Sequence, residues 1–455
     1  MNYTPRTRLT RTARALSIAA ALTLFAAAAH ARQAAPVASQ PSPAPRLVAR
    51  LTGYDGPSAS SARPALVAFS PDGRTLAVSG EERTVKLYEA ETGRLLATLA
   101  GEKPGFNGFA FSPDSRVAAT RATLDHSVTL WDAATGKLLL KLAGRGRGVE
   151  SKFKAAFIVT AEFLPVTFSP DGRAVLTERE DDIVAVWDAA TGKQLATLEH
   201  KTETNAGKDV LKMAFGGGLP LILSAFYSAD GAHVVTANGD RAPKLWDAST
   251  WRLVAALTGP YDKTYSAIPL PAAPLVLTFS SKGEMNLWDA ATGAHRTTLV
   301  DGRGRTYEMG VGREGRLVAA QVDDETHVWD VVEGRQVLWL RKNKARLLSL
   351  SPDGRTLATA GGEKGATARL WDVETGQLKL ALAPADDDVR SVEFSPDGRF
   401  LLTTSDKGVR LWDAASGAAV AALDAARFPA HFSRDGRHLA TGGTDKTAYL
   451  YELKP

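Results

Sequence analysis

From residue 47 onward one unit recurs with a period near 41 residues, and no other feature limits the possible folds so tightly. Each copy reads as an apolar stretch, a Ser-Pro-Asp-Gly turn, an apolar strand and a polar turn. A strand ending Leu-Trp-Asp follows, then Ala-Ala-Thr-Gly and a last strand. The Trp-Asp pair begins at Trp131, Trp187, Trp246, Trp288, Trp329, Trp371 and Trp412, and Tyr-Glu stands in its place at Tyr88 and Tyr451. Successive aromatics are 43, 56, 59, 42, 41, 42, 41 and 39 residues apart, which makes nine units. A unit of this length holds four short strands but cannot bury their apolar faces alone, so neighbouring units must stack.

The local chemistry agrees with strands and tight turns. Clear Ser-Pro-Asp-Gly turns begin at Ser70, Ser169, Ser351 and Ser395, with weaker relatives at Ser112, Ser228, Ser433 and Arg313. Proline presets φ for such a turn and glycine accepts the positive φ that follows. Two further columns accompany the aromatic one. Threonine occupies the second strand at Thr120, Thr177, Thr236, Thr278, Thr359, Thr403 and Thr441, with Val78 and Ala320 as exceptions. Six residues before the aromatic stands Asp125, Asp181, Asp240, Asp323, Asp406 or Asp445, replaced by Glu82, Lys282 and Gly365 in the other units.

These columns resemble the WD-repeat family over about nine-tenths of the chain. In that family a Trp on the third strand bonds a Ser or Thr on the second, and the Asp holds the turn between them. A His entering the first strand completes the family's network, and no such column is visible among the eight His residues. The resemblance implies an all-β propeller of four-stranded blades. Nine blades in one ring are expected, although a split into two smaller rings is also compatible with nine units. The last unit ends at YLYELKP without the strand that follows Ala-Thr-Gly elsewhere, and RLVARLTG near the N-terminus reads as that missing strand. Pairing the two would close the ring and remove an exposed sheet edge.

The first 46 residues read differently. Arg6, Arg8, Arg11 and Arg14 form a basic head without acids, Ala15 to Ala29 is apolar, and Ala29-His30-Ala31 offers small residues at a cleavage site. Residues 1–31 are therefore expected to be a secretory signal, cut near Ala31, which would leave the protein periplasmic or extracellular. The apolar run is too short to span a bilayer comfortably, so no membrane span is expected. Residues 32–46, rich in Ala, Pro, Ser and Gln, read as a linker, leaving 47–455 for the propeller. Removing the four signal arginines lowers the formal net charge from +5 to +1, so the basic balance does not suggest a nucleic-acid partner. With no Cys, disulfides, thiolate metal sites and cysteine nucleophiles are excluded.

The repeats leave no stretch for a catalytic domain, and no sequence signature of a nucleophile elbow, zinc helix or phosphate loop occurs. Asp125-His126 falls in the repeated turn column. Asp386-Asp387-Asp388 lacks the Gly and spaced Glu of a calcium loop. No cofactor or metal is expected. The expected function is a non-catalytic, protein-binding scaffold, as the family resemblance also implies. A propeller enzyme of hydrolase or lyase type, or a glycan or small-ligand binder, would be the alternatives. Recognition is expected on the face that carries the variable loops rather than the repeated turns. Two long connections, 145–165 and 199–226, lie on consecutive units and should form one raised lobe. Candidate contact residues are Arg145, Arg147, Lys152, Phe153, Lys154, Tyr261, Tyr265, Arg303, Arg305, Tyr307, Arg341, Lys342 and Lys344, a basic and aromatic set suited to an acidic protein surface.

Overall fold

In a computed structural model, residues 44–454 are described except for 54–65, 80–83, 102–105, 123–126, 145–165, 180–182, 201–221, 239–240, 260–263, 281–282, 303, 305, 313–314, 362–367, 383–387 and 444–445. The described chain forms nine four-stranded antiparallel sheets. Blades 1 to 8 span residues 67–99, 106–142, 167–199, 222–256, 264–300, 306–340, 347–381 and 391–423, each with its strands hydrogen-bonded in chain order. Blade 9 combines three C-terminal strands, Ala426–Phe432, His438–Gly443 and Thr447–Glu452, with the N-terminal strand Arg46–Thr52. That strand runs antiparallel to Thr447–Glu452, from Arg46 opposite Glu452 to Thr52 opposite Thr447. The expected closure is therefore present, and Arg46 Nε adds a 2.7 Å bond to Glu452 Oε2 across it.

Nine apolar clusters, each shared by two consecutive blades, show that the units form one ring. In blades 1 and 2, for example, Leu87 and Leu99 pack with Ala118 and Trp131. The cluster that links last to first contains Leu51, Leu76, Val78 and Tyr88 together with Ala440, Ala448 and Leu450. The direction is constant. The third-strand aromatic of each blade joins the cluster it shares with the preceding blade, as Trp187, Trp246, Trp288, Trp329 and Trp412 do. Trp371 sits partly buried against the cluster of blades 6 and 7. Buried Arg121 and half-buried Glu178, at 3.4 Å, add a charged link between blades 2 and 3.

The turns follow from their residues. In blade 1, Ser70 Oγ donates to Asp72 at 2.6 Å and accepts from the Thr75 amide at 2.9 Å, while Gly73 takes φ 73°. Blade 2 has Ser115 where that glycine stands, and the residue is still held at φ 64°, so the turn geometry is imposed by its surroundings.

Six of the seven second-strand threonines receive the indole N–H of their own blade's Trp, at 2.7–2.9 Å. The seventh, Thr441, lies in blade 9, where Tyr451 replaces Trp. The expectation that the network's histidine is missing throughout is corrected in blade 4. There buried His200 lies with Nε2 2.5 Å from Thr236 Oγ1, which also accepts from Trp246 Nε1 at 2.9 Å. The histidine escapes notice in the sequence because residues 201–221 separate it from the strand it serves, Ile222–Tyr227. Of the turn aspartates, Asp125, Asp181, Asp240 and Asp445 lie outside the described residues. Asp323 occupies a positive-φ turn and Asp406 is ion-paired with Arg390.

Two outcomes follow. Deleting residues 46–52 should lower the thermal midpoint by about 10 °C or more, or render the chain insoluble, because blade 9 loses its outer strand. A truncated chain that melts with the full one in circular dichroism would refute closure through this strand. Thr236→Val should destabilise by about 2–4 kcal/mol, because two buried polar partners lose their bond, against about 1–2 kcal/mol for Thr359→Val, which strands the single indole of Trp371. Equal losses in denaturant titration would show that His200 contributes nothing through Thr236.

Candidate functional site

The two ends of the ring differ in how firmly their chain is held. In every blade the residue after the third strand donates its amide to a carbonyl at the end of the first turn, two residues past the turn's aspartate where one is present. Examples are Ala133 to Arg116 and Ala189 to Arg173, and the nine bonds measure 2.7–2.9 Å. This bond ties the Ser-Pro-Asp-Gly and Ala-Ala-Thr-Gly turns together at one end. Hydroxyl and backbone donors also hold the carboxyl groups of Asp132, Asp188 and Asp289 below the usual range, led in each by the turn threonine, so these turns keep their charge and shape. The other end carries the connections between blades and the turns between second and third strands, where unit length varies.

Most of the expected contact residues fall outside the described chain. Arg145, Arg147, Lys152, Phe153, Lys154, Tyr261, Arg303 and Arg305 are among them, so the raised lobe over blades 2 to 4 lies there too. The second connection is shorter than 199–226. Glu199 ends the strand Gln194–Glu199, His200 belongs to the blade 4 core, and Ile222–Tyr227 is an inner strand. Tyr265 and Tyr307 are not loop residues either. They lie in the inner strands Thr264–Leu270 and Thr306–Gly312, each at a register shift where the strand carries an extra residue. The same irregularity falls at residues 107 and 223 in blades 2 and 4. An apolar and β-branched run continued the strand past the tyrosine, and the bulge absorbs the extra residue without shifting the faces behind it.

Arg341, Lys342 and Lys344 do come together. They stand exposed on the connection from blade 6 to blade 7, where Lys342 takes φ 56°. The connection is anchored from below. Gln321 Nε2 donates to the Asn343 and Asp323 carbonyls at 2.7 and 2.9 Å, and Asn343 Nδ2 and Gln321 Oε1 both bond Thr326 Oγ1. These buried amides fill blade 6, where Ala320 replaces the threonine column. Beside them Trp339 is 46% exposed, with Arg341 lying 4.0 Å over its ring. His327 is stacked between Trp339, at 5.7 Å, and the buried Trp329, at 5.4 Å. Burial lowers the pKa of His327, so the ring is neutral at neutral pH. Sequence reading missed Trp339 and His327, although a Trp inside an outer strand is a legible departure from the repeat.

The inner strands carry a second polar group. His431 of blade 9 lies with Nδ1 3.2 Å from Glu393 Oε2 of blade 8, and Ser349 of blade 7 accepts from the Phe394 amide at 3.2 Å. Burial pushes the carboxyl of Glu308, on the inner strand of blade 6, up to about 8. Among the described residues no three His, Asp or Glu side chains converge as a metal set, and no helix is long and apolar enough to cross a membrane.

Comparison with known proteins places these observations. The WD domain, G-beta repeat model matches residues 48–89, 93–132, 377–413 and 417–452. Each match starts at or just before one blade's outer strand and ends at the close of the next blade's third strand, so the four take in the first three strands of blades 8, 9, 1 and 2 in succession across the closure. The chain is 26% identical to Autophagy-related protein 16 of Arabidopsis thaliana over 243 residues, covering 50% of this chain and 47% of that protein. It is 25% identical to nuclear distribution protein PAC1 of Arthroderma otae over 283 residues, covering 54% and 58%. The DENN domain and WD repeat-containing protein SCD1 of Arabidopsis thaliana is 30% identical over 171 residues, 37% of this chain and 14% of that protein. The chain thus spans about half the length, or less, of these curated relatives. It is a nine-bladed β-propeller that carries WD40 repeats.

Proposed function

We propose that this chain is an exported, non-catalytic scaffold that binds another protein through the variable end of its ring. The observation that carries this reading is the contrast between the two ends. One is tied by a bond repeated in nine blades, with turns that recur in most of them, and the other gathers the differences in length. A rigid scaffold with variable connections at one end is the arrangement that recognition surfaces use. WD-repeat relatives point the same way, since the family resemblance implies a platform for protein contacts. The basic side chains Arg341, Lys342 and Lys344, exposed at that end, favour an acidic partner surface, with attraction that weakens as salt rises. Export rests on the basic head and apolar run of residues 1–31.

Shortening residues 145–160 to a plain blade connection should abolish binding of the partner recovered by the intact chain and leave the melting curve unchanged. Unchanged affinity, with loss instead on altering the Ala-Ala-Thr-Gly turns, would move the site to the opposite end. N-terminal sequencing of the protein purified from its native envelope should begin at Arg32. An intact Met1 on protein recovered from the cytoplasm would overturn the export reading.

A further inference from the structure

Blade 6 departs from the repeat at one surface position. The outer-strand residue opposite the site two before the third-strand aromatic is Thr, Ala, Lys or Arg in the other eight blades, as in Thr98, Thr197, Ala381 and Ala422. In blade 6 it is Trp339, opposite His327. The row Trp329, His327, Trp339 and Arg341 therefore runs from the core of blades 5 and 6 out to solvent. Stacking holds the Trp339 ring, and Trp339 Nε1 donates to Glu325 Oε2 at 3.1 Å, so little side-chain entropy remains to be lost on binding.

The charges around it are arranged in two groups. On the connection that follows it are Arg341, Lys342, Lys344 and Arg346, all exposed, and none of them is ion-paired among the described residues. The opposite end of the same blade differs: Arg316 pairs with Asp330 and Glu333, and Arg335 with Glu333. Asp323, Asp324 and Glu325 stand on the adjoining turn at the same end, where Gln321 Nε2 joins the Asp323 and Asn343 carbonyls. A guanidinium lying flat on an indole keeps its N–H edges free for a carboxylate while its own face is desolvated.

We propose that this patch is a docking site for an extended acidic segment of a partner protein, with one apolar side chain seated against Trp339 and carboxylates on Arg341, Lys342 and Lys344. Asp324 and Glu325, on the adjoining turn, bound the site at that edge by repelling acids. The inference rests on the partner-binding reading above and adds a second contact point, four blades from the one that the 145–160 deletion removes.

The test uses the full chain and a fluorescein-labelled peptide, Gly-Ser-Glu-Glu-Leu-Glu-Glu-Ser-Gly, followed by fluorescence anisotropy. The peptide should bind and weaken with salt. Trp339→Ala and Arg341→Glu should each weaken it about tenfold or more, Trp339→Phe less, and Asp324→Lys should strengthen it. Leu378→Ala, at an exposed apolar residue of the blade 7 outer strand, should change nothing. Absence of binding, unchanged affinity in Trp339→Ala or Arg341→Glu with an unaltered melting curve, or tighter binding of the lysine counterpart or of an oligouridine would overturn the proposal. Any of those results would leave the 145–160 deletion experiment, and the reading it tests, untouched.

Discussion

The contact between one blade's third-strand aromatic and the sheet of the blade before it is what the rest of the molecule depends on. A buried Trp removes roughly 150–250 Å² from water, worth at most about 4–6 kcal/mol by area. No single blade can gain this, because its own Trp faces away towards its neighbour. Cohesion is therefore a property of the ring. It exists only if the ninth interface forms, and that interface needs Leu51, from the N-terminal strand, among its buried residues. The chain closes on itself through its two ends because a four-stranded sheet with one strand missing would leave both an apolar face and a backbone edge exposed.

The polar network inside the blades is more varied than the apolar one, and it varies for a physical reason. A buried indole N–H needs an acceptor, and threonine supplies it in six blades. Where threonine is absent, the buried polar groups change together. Blade 6 replaces the column with Gln321, Thr326 and Asn343; blade 5 keeps Thr278 and adds a second cluster, Glu284, Asn286, His295 and Thr298, through bonds of 2.6–3.1 Å. The blade 6 cluster reaches Asn343 on the connection to blade 7, so it also fixes where variable residues leave the scaffold there. The basic connection above blade 6 is held in place by that substitution, through the Asn343 carbonyl and side chain.

Function follows from the same division. One end of the ring is repetitive because each blade needs the bond between its two turns, and selection for anything else there would disturb nine equivalent positions. The other end is released from that demand. Trp339, the anchor of the proposed docking site, stands where other blades carry small or long polar side chains, and the neighbouring His327 and Arg341 hold it in place.

The sequence by itself determined the fold. Its period, the Trp and Thr columns, the Ser-Pro-Asp-Gly turns and the displaced strand RLVARLTG are local or periodic signals, legible without knowing what touches what. It also marked Arg341, Lys342 and Lys344 as a basic group. Only the tertiary structure decided that nine units close as one ring, because the choice depends on whether Tyr88 meets Ala440 and Leu450 across the closure. It also moved Tyr265 and Tyr307 from loops into bulged strands, and it brought His200 to Thr236 over a long intervening segment. Such contacts join residues whose separation in sequence follows no period. A repeat pattern carries no information about them, and packing alone selects the partners.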